Sequence, residues 1–123
     1  MEFKYHENGV EAFNPMLNIA YHYNGGIAYD ELSKSAYHDN KIKAYDAYLK
    51  QVYHKNGTIA YDSLTKNAYH ENKVIAYDGL LKQFYDTNGF KSNAYSFSIS
   101  LGKGIKLNIL PTLKIEVYGT IIN

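Results

Sequence analysis

The chain has 123 residues, 14 of them tyrosine, and contains neither cysteine nor tryptophan. Without cysteine, disulfide bonds and thiolate metal sites are excluded. The formal net charge is +1 and every basic residue is lysine, so the basic excess and the arginines of nucleic-acid binders are missing, and we expect no nucleic-acid partner. The sequence also predicts no membrane span and no secretory signal, which leaves its localisation open between cytoplasmic and surface-associated.

A tandem repeat of 16 residues runs through most of the chain. Copies begin at Tyr5, Tyr21, Tyr37, Tyr53 and Tyr69, and an incomplete sixth copy begins at Tyr85. Counting from this tyrosine, position two is histidine in five copies, position four is always asparagine, and position five is glycine or lysine. Position twelve is large and apolar in the five full copies. Such regularity predicts a stacked repeat architecture rather than an ordinary globular domain.

The repeat divides the chain into three parts. Residues 1–4 form an N-terminal lead-in, residues 5–91 form the repeat array, and residues 92–123 follow without the repeat. In the last part, apolar and polar residues alternate from Tyr95 to Leu101 and again after the glycine-containing turn at 102–104, as in half-buried strands. We expect these strands to form a β cap that protects one end of the array.

Two backbone conformations of the repeat stay open. A helix from Ile59 to His70 would place Asp62 four residues before Lys66, and it predicts a helical-repeat scaffold that binds proteins. A β conformation explains more, because Ala-Tyr-Asp recurs eight residues later as Ala-Tyr-His, so that each repeat contains two similar strands. We therefore predict an all-β fold, either an elongated hairpin meander or a β-solenoid, with a C-terminal β-strand cap.

The turn residues predict the strand register. Asn-Gly preceded by Glu or Lys suits a three-residue hairpin loop, a type I turn closed by a residue with positive φ. Lys41 and Lys73 would adopt that conformation at a cost of about 1 kcal/mol. A second three-residue loop at positions eleven to thirteen would place Asp62 directly opposite Lys66. In this register, the tyrosines of positions one and nine share one face, and alanine and histidine share the other.

The motif Tyr-x-x-Asn-Gly-x-x-x-Tyr, at Tyr21 to Tyr29 and Tyr53 to Tyr61, resembles bacterial MORN-variant repeats. The resemblance covers Tyr5 to about Phe90, although the repeat here is shorter and the second glycine of that family is mostly absent. It implies an array of β-hairpins that serves as a non-catalytic interaction module. It implies no individual site residue.

The histidines and aspartates do not predict a metal site or a catalytic site. One histidine per repeat gives a row with a spacing of about 10 Å in a meander, whereas zinc needs converging ligands. We interpret these histidines as surface residues and expect no cofactor. Acid–base pairs and nucleophilic triads need unlike environments, which identical repeats do not supply. The sequence therefore predicts that the protein is not an enzyme.

Tyrosine is the most informative residue, because it is large, rigid and amphipathic and therefore suits contact surfaces. We predict a structural or interaction protein that self-associates, as an oligomer or fibre, or binds a protein partner. The candidate contact face comprises Tyr21, Tyr29, Tyr37, Tyr45, Tyr53, Tyr61, Tyr69 and Tyr77. Packing of these tyrosines into the core is the competing interpretation, and a carbohydrate-binding module that stacks sugars on the tyrosine row is the alternative function.

Overall fold

A computed structural model describes residues 2–123 as two antiparallel sheets without a helix. The first sheet, here the repeat sheet, contains twelve strands in chain order: β1 (Lys4–Tyr5), β2 (Glu11–Asn14), β3 (Ile19–Tyr21), β4 (Ile27–Asp30), β5 (Ser35–Tyr37), β6 (Lys43–Asp46), β7 (Gln51–Tyr53), β8 (Ile59–Asp62), β9 (Asn67–Tyr69), β10 (Ile75–Asp78), β11 (Gln83–Tyr85) and β12 (Lys91–Ser92). The second, the C-terminal sheet, contains β13 (Phe97–Gly102), β14 (Ile105–Leu110), β15 (Lys114–Val117) and β16 (Thr120–Ile121). Of the predicted lead-in, Met1 lies outside the described residues.

The prediction of an all-β fold is confirmed, and the meander is the arrangement formed. Every strand of the repeat sheet pairs with its neighbours in the sequence, and each of the five full repeats supplies two strands. The helical-repeat scaffold is therefore wrong. Short strands separated by turn residues are what the Asn-Gly signals and the abundant tyrosine favour.

The first loop of each repeat has the predicted three-residue form. In repeat 1, the backbone N–H of His6 donates to the carbonyl of Val10 at 2.8 Å, and the N–H of Gly9 donates to the carbonyl of His6 at 2.9 Å. Gly9 has φ of 86°, and the lysines at the same position have φ of 74° and 73° at Lys41 and Lys73. The left-handed residue that closes the type I turn is thus present in both kinds of repeat.

The second loop has four residues instead of the predicted three. Asp62 lies opposite Asn67 rather than Lys66, and Lys66 itself occupies the left-handed region with φ of 61°. The Oδ1 atom of Asp62 accepts the backbone N–H of Leu64 at 3.0 Å, which caps the turn. The aspartate of each repeat is thus a turn-capping residue, and the predicted pairing of Asp62 with Lys66 across the strands is wrong.

A β-bulge beside the three-residue loop of each full repeat changes which residues share a face. In repeat 4, Tyr53 lies opposite Ile59, but Val52 lies opposite Tyr61, so that Ala60 is the extra residue. Side chains directly opposite each other lie on the same face, whereas successive residues of a strand alternate. Tyr53 and Tyr61 therefore lie on opposite faces, and the prediction that positions one and nine share a face is wrong.

The C-terminal sheet covers one face of the repeat sheet and does not extend its end. Side chains from both sheets form one buried cluster: Ala12, Phe13, Ala20, Ala28, Tyr29, Ala36, Ala44, Val52 and Ala60 from the repeats, with Leu101, Ile105, Leu107, Ile109, Ile115, Val117 and Ile122 from the C-terminal sheet. The prediction that the C-terminal strands protect one end of the array is therefore wrong. Alanine recurs in the repeats because small side chains let the second sheet approach closely.

Candidate functional site

The repeat sheet has two long edges that are formed by different loops. The three-residue loops, each with the histidine and asparagine of its repeat, lie along one edge, which we call the His/Asn edge. The four-residue loops lie along the other edge. Because consecutive hairpins are two strands apart, equivalent loops follow one another at about 10 Å.

The histidines form a ladder of hydrogen bonds along the His/Asn edge. In every case, Nε2 bonds to the backbone carbonyl of the tyrosine that begins the next repeat, at 2.6–2.8 Å: His6 to Tyr21, His22 to Tyr37, His38 to Tyr53, His54 to Tyr69 and His70 to Tyr85. Four of these five histidines are buried, with only 1–7% of their surface exposed. The interpretation of the histidines as surface residues is wrong, because the side chains bridge neighbouring hairpins underneath the C-terminal sheet.

The acceptor sets the tautomer of each neutral ring. A carbonyl oxygen can only accept, so Nε2 carries the proton and Nδ1 of the neutral ring is an acceptor. At His6, the hydroxyl of Tyr118 donates to Nδ1 at 2.6 Å, but at His22 and His38 the buried Nδ1 atom has no partner. Burial lowers the pKa of both His22 and His38, and their own carbonyl acceptors oppose that shift. These two rings are therefore held neutral.

The asparagines form a second ladder beside the histidines. Each Oδ1 accepts the backbone N–H two residues on, which closes the turn, while Nδ2 donates to a backbone carbonyl in the next repeat. The inter-repeat bonds measure 2.9–3.3 Å and join Asn8 to Tyr23, Asn24 to Asp39, Asn40 to Lys55, Asn56 to Glu71 and Asn72 to Thr87. Asparagine alone among the turn-forming acids and amides offers both the acceptor and the donor.

The sixth repeat departs from the pattern where the ladder ends. No seventh repeat exists to supply a carbonyl, and position two is Asp86 instead of histidine. The Oδ1 atom of Asp86 accepts the backbone N–H groups of Asn88 and Phe90 at 2.9 and 3.0 Å, so that it caps its own turn. The histidine of the other repeats therefore serves the contact between hairpins rather than its own hairpin.

The C-terminal sheet is fastened to the His/Asn edge. The backbone N–H of Asp39 donates to the carbonyl of Leu101 at 2.9 Å. A side chain at Gly102 would meet Nδ1 of His22 at 2.6 Å, so that strand β13 can approach this ring only because residue 102 is glycine. The ring of Phe97 packs edge-on against His70 with 5.9 Å between their centroids. The row of histidines is thus part of the packing surface for the second sheet.

The eight tyrosines predicted as one contact face lie on two faces. Those of position nine, Tyr29, Tyr45, Tyr61 and Tyr77, lie on the face that carries the C-terminal sheet. Burial raises the pKa of Tyr29 to about 12, and burial also raises that of Tyr61. Those of position one, Tyr21, Tyr37, Tyr53 and Tyr69, lie on the opposite face and are half-buried. Whether any of the eight contacts a partner stays a prediction.

The face opposite the C-terminal sheet, here the open face, carries a row of cross-strand pairs. The tyrosine of position one lies opposite an isoleucine in three of these pairs: Tyr21 with Ile27, Tyr53 with Ile59, and Tyr69 with Ile75. In the other three pairs, a charged residue takes that place: Tyr5 with Glu11, Tyr37 with Lys43, and Tyr85 with Lys91. The three isoleucines are exposed, and each tyrosine is only half-covered by its neighbours. Aromatic and β-branched pairs stabilise the sheet and leave an amphipathic surface.

Two grooves on the open face are built from the same positions of different repeats. One, of about 610 Å³, has Ile27, Asp30, Tyr37 and Lys41 in its lining and extends to His22 and His38 on the His/Asn edge. The other, of about 460 Å³, has the corresponding Ile59, Asp62, Tyr69 and Lys73. Each combines an aromatic ring, an aliphatic side chain, a carboxylate and an ammonium group. Because equivalent residues are two repeats apart, the grooves recur at about 20 Å.

The second long edge carries an apolar row for which the sequence predicted no role. The side chains of position twelve, Met16, Leu32, Tyr48, Leu64 and Leu80, are 83–94% exposed at the tips of the four-residue loops. Leu17, Leu49 and Leu81 follow them in the chain and are 55–66% exposed. We call these eight side chains the loop-tip ridge. The apolar residue at position twelve was visible in the sequence, but only the loop length shows that it faces solvent.

The described part of the chain shows no site for a metal ion. Among residues 2–123, no three histidine, aspartate or glutamate side chains come together in a group that could hold one. No helix suited to crossing a bilayer occurs in that range either. Comparison with known protein families, with characterised proteins and with solved structures finds no significant match to this chain.

Proposed function

We propose that this is a non-catalytic binding protein that contacts a protein partner through the open face of the repeat sheet. The observation that carries the proposal is the row of tyrosine–isoleucine pairs on the face that the C-terminal sheet leaves uncovered. The opposite face is already used in the core. One sheet face is thus committed to folding, and the other presents amphipathic side chains to solvent.

The chemistry of the molecule supports binding rather than catalysis. Each histidine uses its Nε2 proton for a backbone carbonyl, so none is free to move a proton at a reacting group. The aspartates of position ten accept backbone N–H groups of their own turns. These roles recur from repeat to repeat, whereas acid–base catalysis needs two groups in unlike environments.

A protein partner suits the composition of the open face. Tyrosine supplies a large contact area with few rotatable bonds, and its hydroxyl forms hydrogen bonds at the rim of an interface. At Tyr53, the hydroxyl donates to Oε1 of Gln51 at 2.6 Å, which orients the ring before any partner arrives. Such preorganisation lowers the entropy that is lost on association.

A matched pair of tyrosine substitutions tests the proposal. Tyr53→Ser removes a ring from the open face, and we expect it to weaken partner binding about 30-fold while the fold survives. Tyr61→Ser removes the neighbouring ring from the core face, and we expect a loss of stability of about 2–3 kcal/mol, because this ring packs on the buried cluster. Binding would be measured against the partner captured from the cell of origin, and stability by urea denaturation.

Chemical cross-linking tests independently which face of the protein contacts the partner. Lys43 lies on the open face opposite Tyr37, whereas Lys106 and Lys114 lie on the C-terminal sheet. We expect cross-links from the partner to Lys43, and only weak ones to the C-terminal lysines. Partner cross-links concentrated on the C-terminal sheet, with binding unchanged in Tyr53→Ser, would contradict the proposal.

The pair of equivalent grooves favours a second candidate, a repeating glycan. Tyr37 and Tyr69 each offer a ring for a sugar, and Asp30 with Lys41 offers hydrogen-bonding groups for hydroxyls in the first groove. Oligosaccharides long enough to span about 20 Å should bind much more tightly than shorter ones, because the second contact becomes intramolecular. Calorimetric titration with oligosaccharides of increasing length checks this, and affinity without a step in length would count against it.

Kinship with MORN-variant repeats is part of the same proposal. The three-residue hairpin loops closed by glycine support it, because they are the feature on which the resemblance rests. Such kinship would place this chain among arrays of hairpins that serve as interaction modules. It would add no site residue to those of the open face.

A further inference from the structure

The loop-tip ridge has no role in the fold. The turn is capped by the aspartate of position ten and closed by the left-handed residue of position fourteen, as at Asp62 and Lys66. Neither the cap nor the left-handed residue requires an apolar side chain at position twelve. Yet position twelve is methionine, leucine or tyrosine in all five loops, and these side chains are 83–94% exposed. Exposed apolar residues that recur in a row mark a contact surface.

We propose that the loop-tip ridge is an interface through which two copies of this chain associate, antiparallel and ridge to ridge. The proposal goes beyond the function of the open face and does not depend on it, because the ridge lies on an edge of the sheet. In a two-fold arrangement, Tyr48 meets Tyr48 of the second copy, Leu32 meets Leu64, and Met16 meets Leu80.

The spacing of the ridge selects a second copy as its occupant. Five apolar tips follow one another at about 10 Å, set by the separation of strands. A partner that engages every tip needs apolar groups at that same spacing. A second copy has them by construction, and an antiparallel arrangement also keeps the two rows in register along their whole length.

The area of the ridge matches the need of a stable dimer. A leucine-sized side chain contributes roughly 100 Å² of apolar surface, the ratio of its transfer free energy to the usual area coefficient. The eight side chains of the ridge, which are 55–94% exposed, thus offer roughly 600 Å² per copy, at the lower end of the area that a standard protein interface buries on each side.

The charges beside the ridge favour another copy over a membrane. The last four loops carry Lys34, Lys50, Lys66 and Lys82, but also Asp30, Asp46, Asp62 and Asp78. The second loop adds Glu31, and the first loop has no charged residue at positions ten to fourteen. The row as a whole has no positive excess that would draw it to anionic lipid. Mixed charges on both partners instead allow lysines of one copy to face aspartates of the other.

The two terminal strands of the repeat sheet do not offer a competing way for copies of the chain to associate. Strand β1 (Lys4–Tyr5) and strand β12 (Lys91–Ser92) each have two residues, one of them lysine. Very short edge strands that carry lysine are the usual protection against edge-to-edge pairing of sheets. Association through the ridge therefore closes as a dimer, whereas pairing of edges would continue into fibres.

Sedimentation velocity over a concentration series tests the interface. We expect the wild-type chain to pass from monomer to dimer, and the triple variant Leu32→Ser/Leu64→Ser/Leu80→Ser to stay monomeric over the same range. Each of the more central leucines should weaken association about 30-fold. Circular dichroism of the dilute variant verifies that it is folded, since these side chains make few contacts of their own.

The matched control removes three aliphatic side chains from the open face. Ile27→Ser/Ile59→Ser/Ile75→Ser removes the same number of aliphatic side chains, which are 36–41% exposed, and we expect its dimer to match the wild type. This variant is also the one that should lose the partner of the open face. If the ridge is not the interface, the triple leucine variant will still dimerise. If the open face does not bind the partner, the triple isoleucine variant will still bind it.

Disulfide trapping tests the antiparallel arrangement, because the chain has no cysteine of its own. Mixed Leu32→Cys and Leu64→Cys proteins should form a covalent dimer under mild oxidation, at least about tenfold faster than Leu32→Cys alone. Equal rates would overturn the antiparallel arrangement. A wild-type chain that is monomeric at every concentration, a triple variant that dimerises like the wild type, or a monomer that sediments with anionic vesicles would overturn the proposal.

Discussion

The residues along the two long edges of the repeat sheet recur with equal regularity, but for different physical reasons. Along the His/Asn edge, the recurring histidine and asparagine of the repeat each form a hydrogen bond to the next hairpin, as at His38 and Asn40. Along the opposite edge, the conserved apolar position at Leu64 forms no contact that the fold requires, and 91% of its surface is exposed. Regular repetition alone therefore does not distinguish a residue that holds the repeats together from one that faces outward.

His38→Ala should cause the largest loss of stability, because it breaks the His/Asn edge where that edge is buried. The substitution removes the donor to the carbonyl of Tyr53, at 2.7 Å, and leaves a cavity beneath the C-terminal sheet. We expect the free energy of unfolding to fall by about 2–4 kcal/mol.

Urea denaturation of His38→Ala and His70→Ala measures the difference between a buried and a partly exposed rung of the ladder. His70 makes the same bond to Tyr85 at 2.8 Å but is only half-buried, so water can replace its donor. We expect a smaller loss there. Equal losses would show that burial by the C-terminal sheet does not contribute.

Acidification should weaken the same edge. Burial lowers the pKa of His22 and His38 from the ordinary 6.5, so below that pH the unfolded chain binds protons that the folded chain does not. Stability should therefore fall from about pH 6.5 downward, by at most about 1.4 kcal/mol per pH unit for each histidine, and level off below the lowered pKa.

The measurement is the pH dependence of the free energy of unfolding. In the variant His22→Gln/His38→Gln, an amide replaces the donor and nothing titrates at these positions, so the slope between pH 7 and 5 should be reduced. A double variant with the wild-type slope would assign the acid sensitivity to groups other than these two histidines.

Asn40→Asp separates the two bonds of the asparagine and should have a moderate effect. The carboxylate can still accept the N–H of Ile42 within the turn, but it cannot donate to the carbonyl of Lys55. We expect a loss of about 1 kcal/mol. Asn88→Asp in the last repeat is the control, because Asp86 accepts the N–H of Phe90 in that turn and no following hairpin offers Asn88 a carbonyl. A similar loss in both proteins, measured by thermal unfolding, would show that the loss does not come from the bond to the next repeat.

Leu64→Ser should have the smallest effect on the stability of the dilute monomer. Its side chain lies at the tip of a four-residue loop whose backbone is capped by Asp62, so we expect a change within about 0.5 kcal/mol. Urea denaturation at a concentration below that of association checks this. A loss as large as that of His38→Ala would mean that both edges support the fold in the same way.

Local chemistry in the sequence was sufficient to predict the strands and one of the two turns. Asn-Gly specifies the three-residue loop through the positive φ that glycine adopts, and the half-period of eight residues indicates two strands per repeat. The β-bulge at Ala60 could not be read in this way, because alanine also stands at a regular position of the same repeat, as Ala68 opposite Tyr61. That single extra residue per hairpin moves Tyr61 away from the face of Tyr53.

By itself, the sequence determined the all-β repeat array, because each repeat carries its own turn residues, but it left the meander and the β-solenoid open. The pairing of each strand with its neighbours in the chain, which makes the sheet a meander, is a finding of the structure. The tertiary structure decided which surfaces remain available. The C-terminal sheet folds back over the hairpins, which buries His22 and His38 and leaves the open face to solvent. Such packing joins residues far apart in the chain, and its direction depends on the complementarity of two apolar surfaces rather than on any local turn signal.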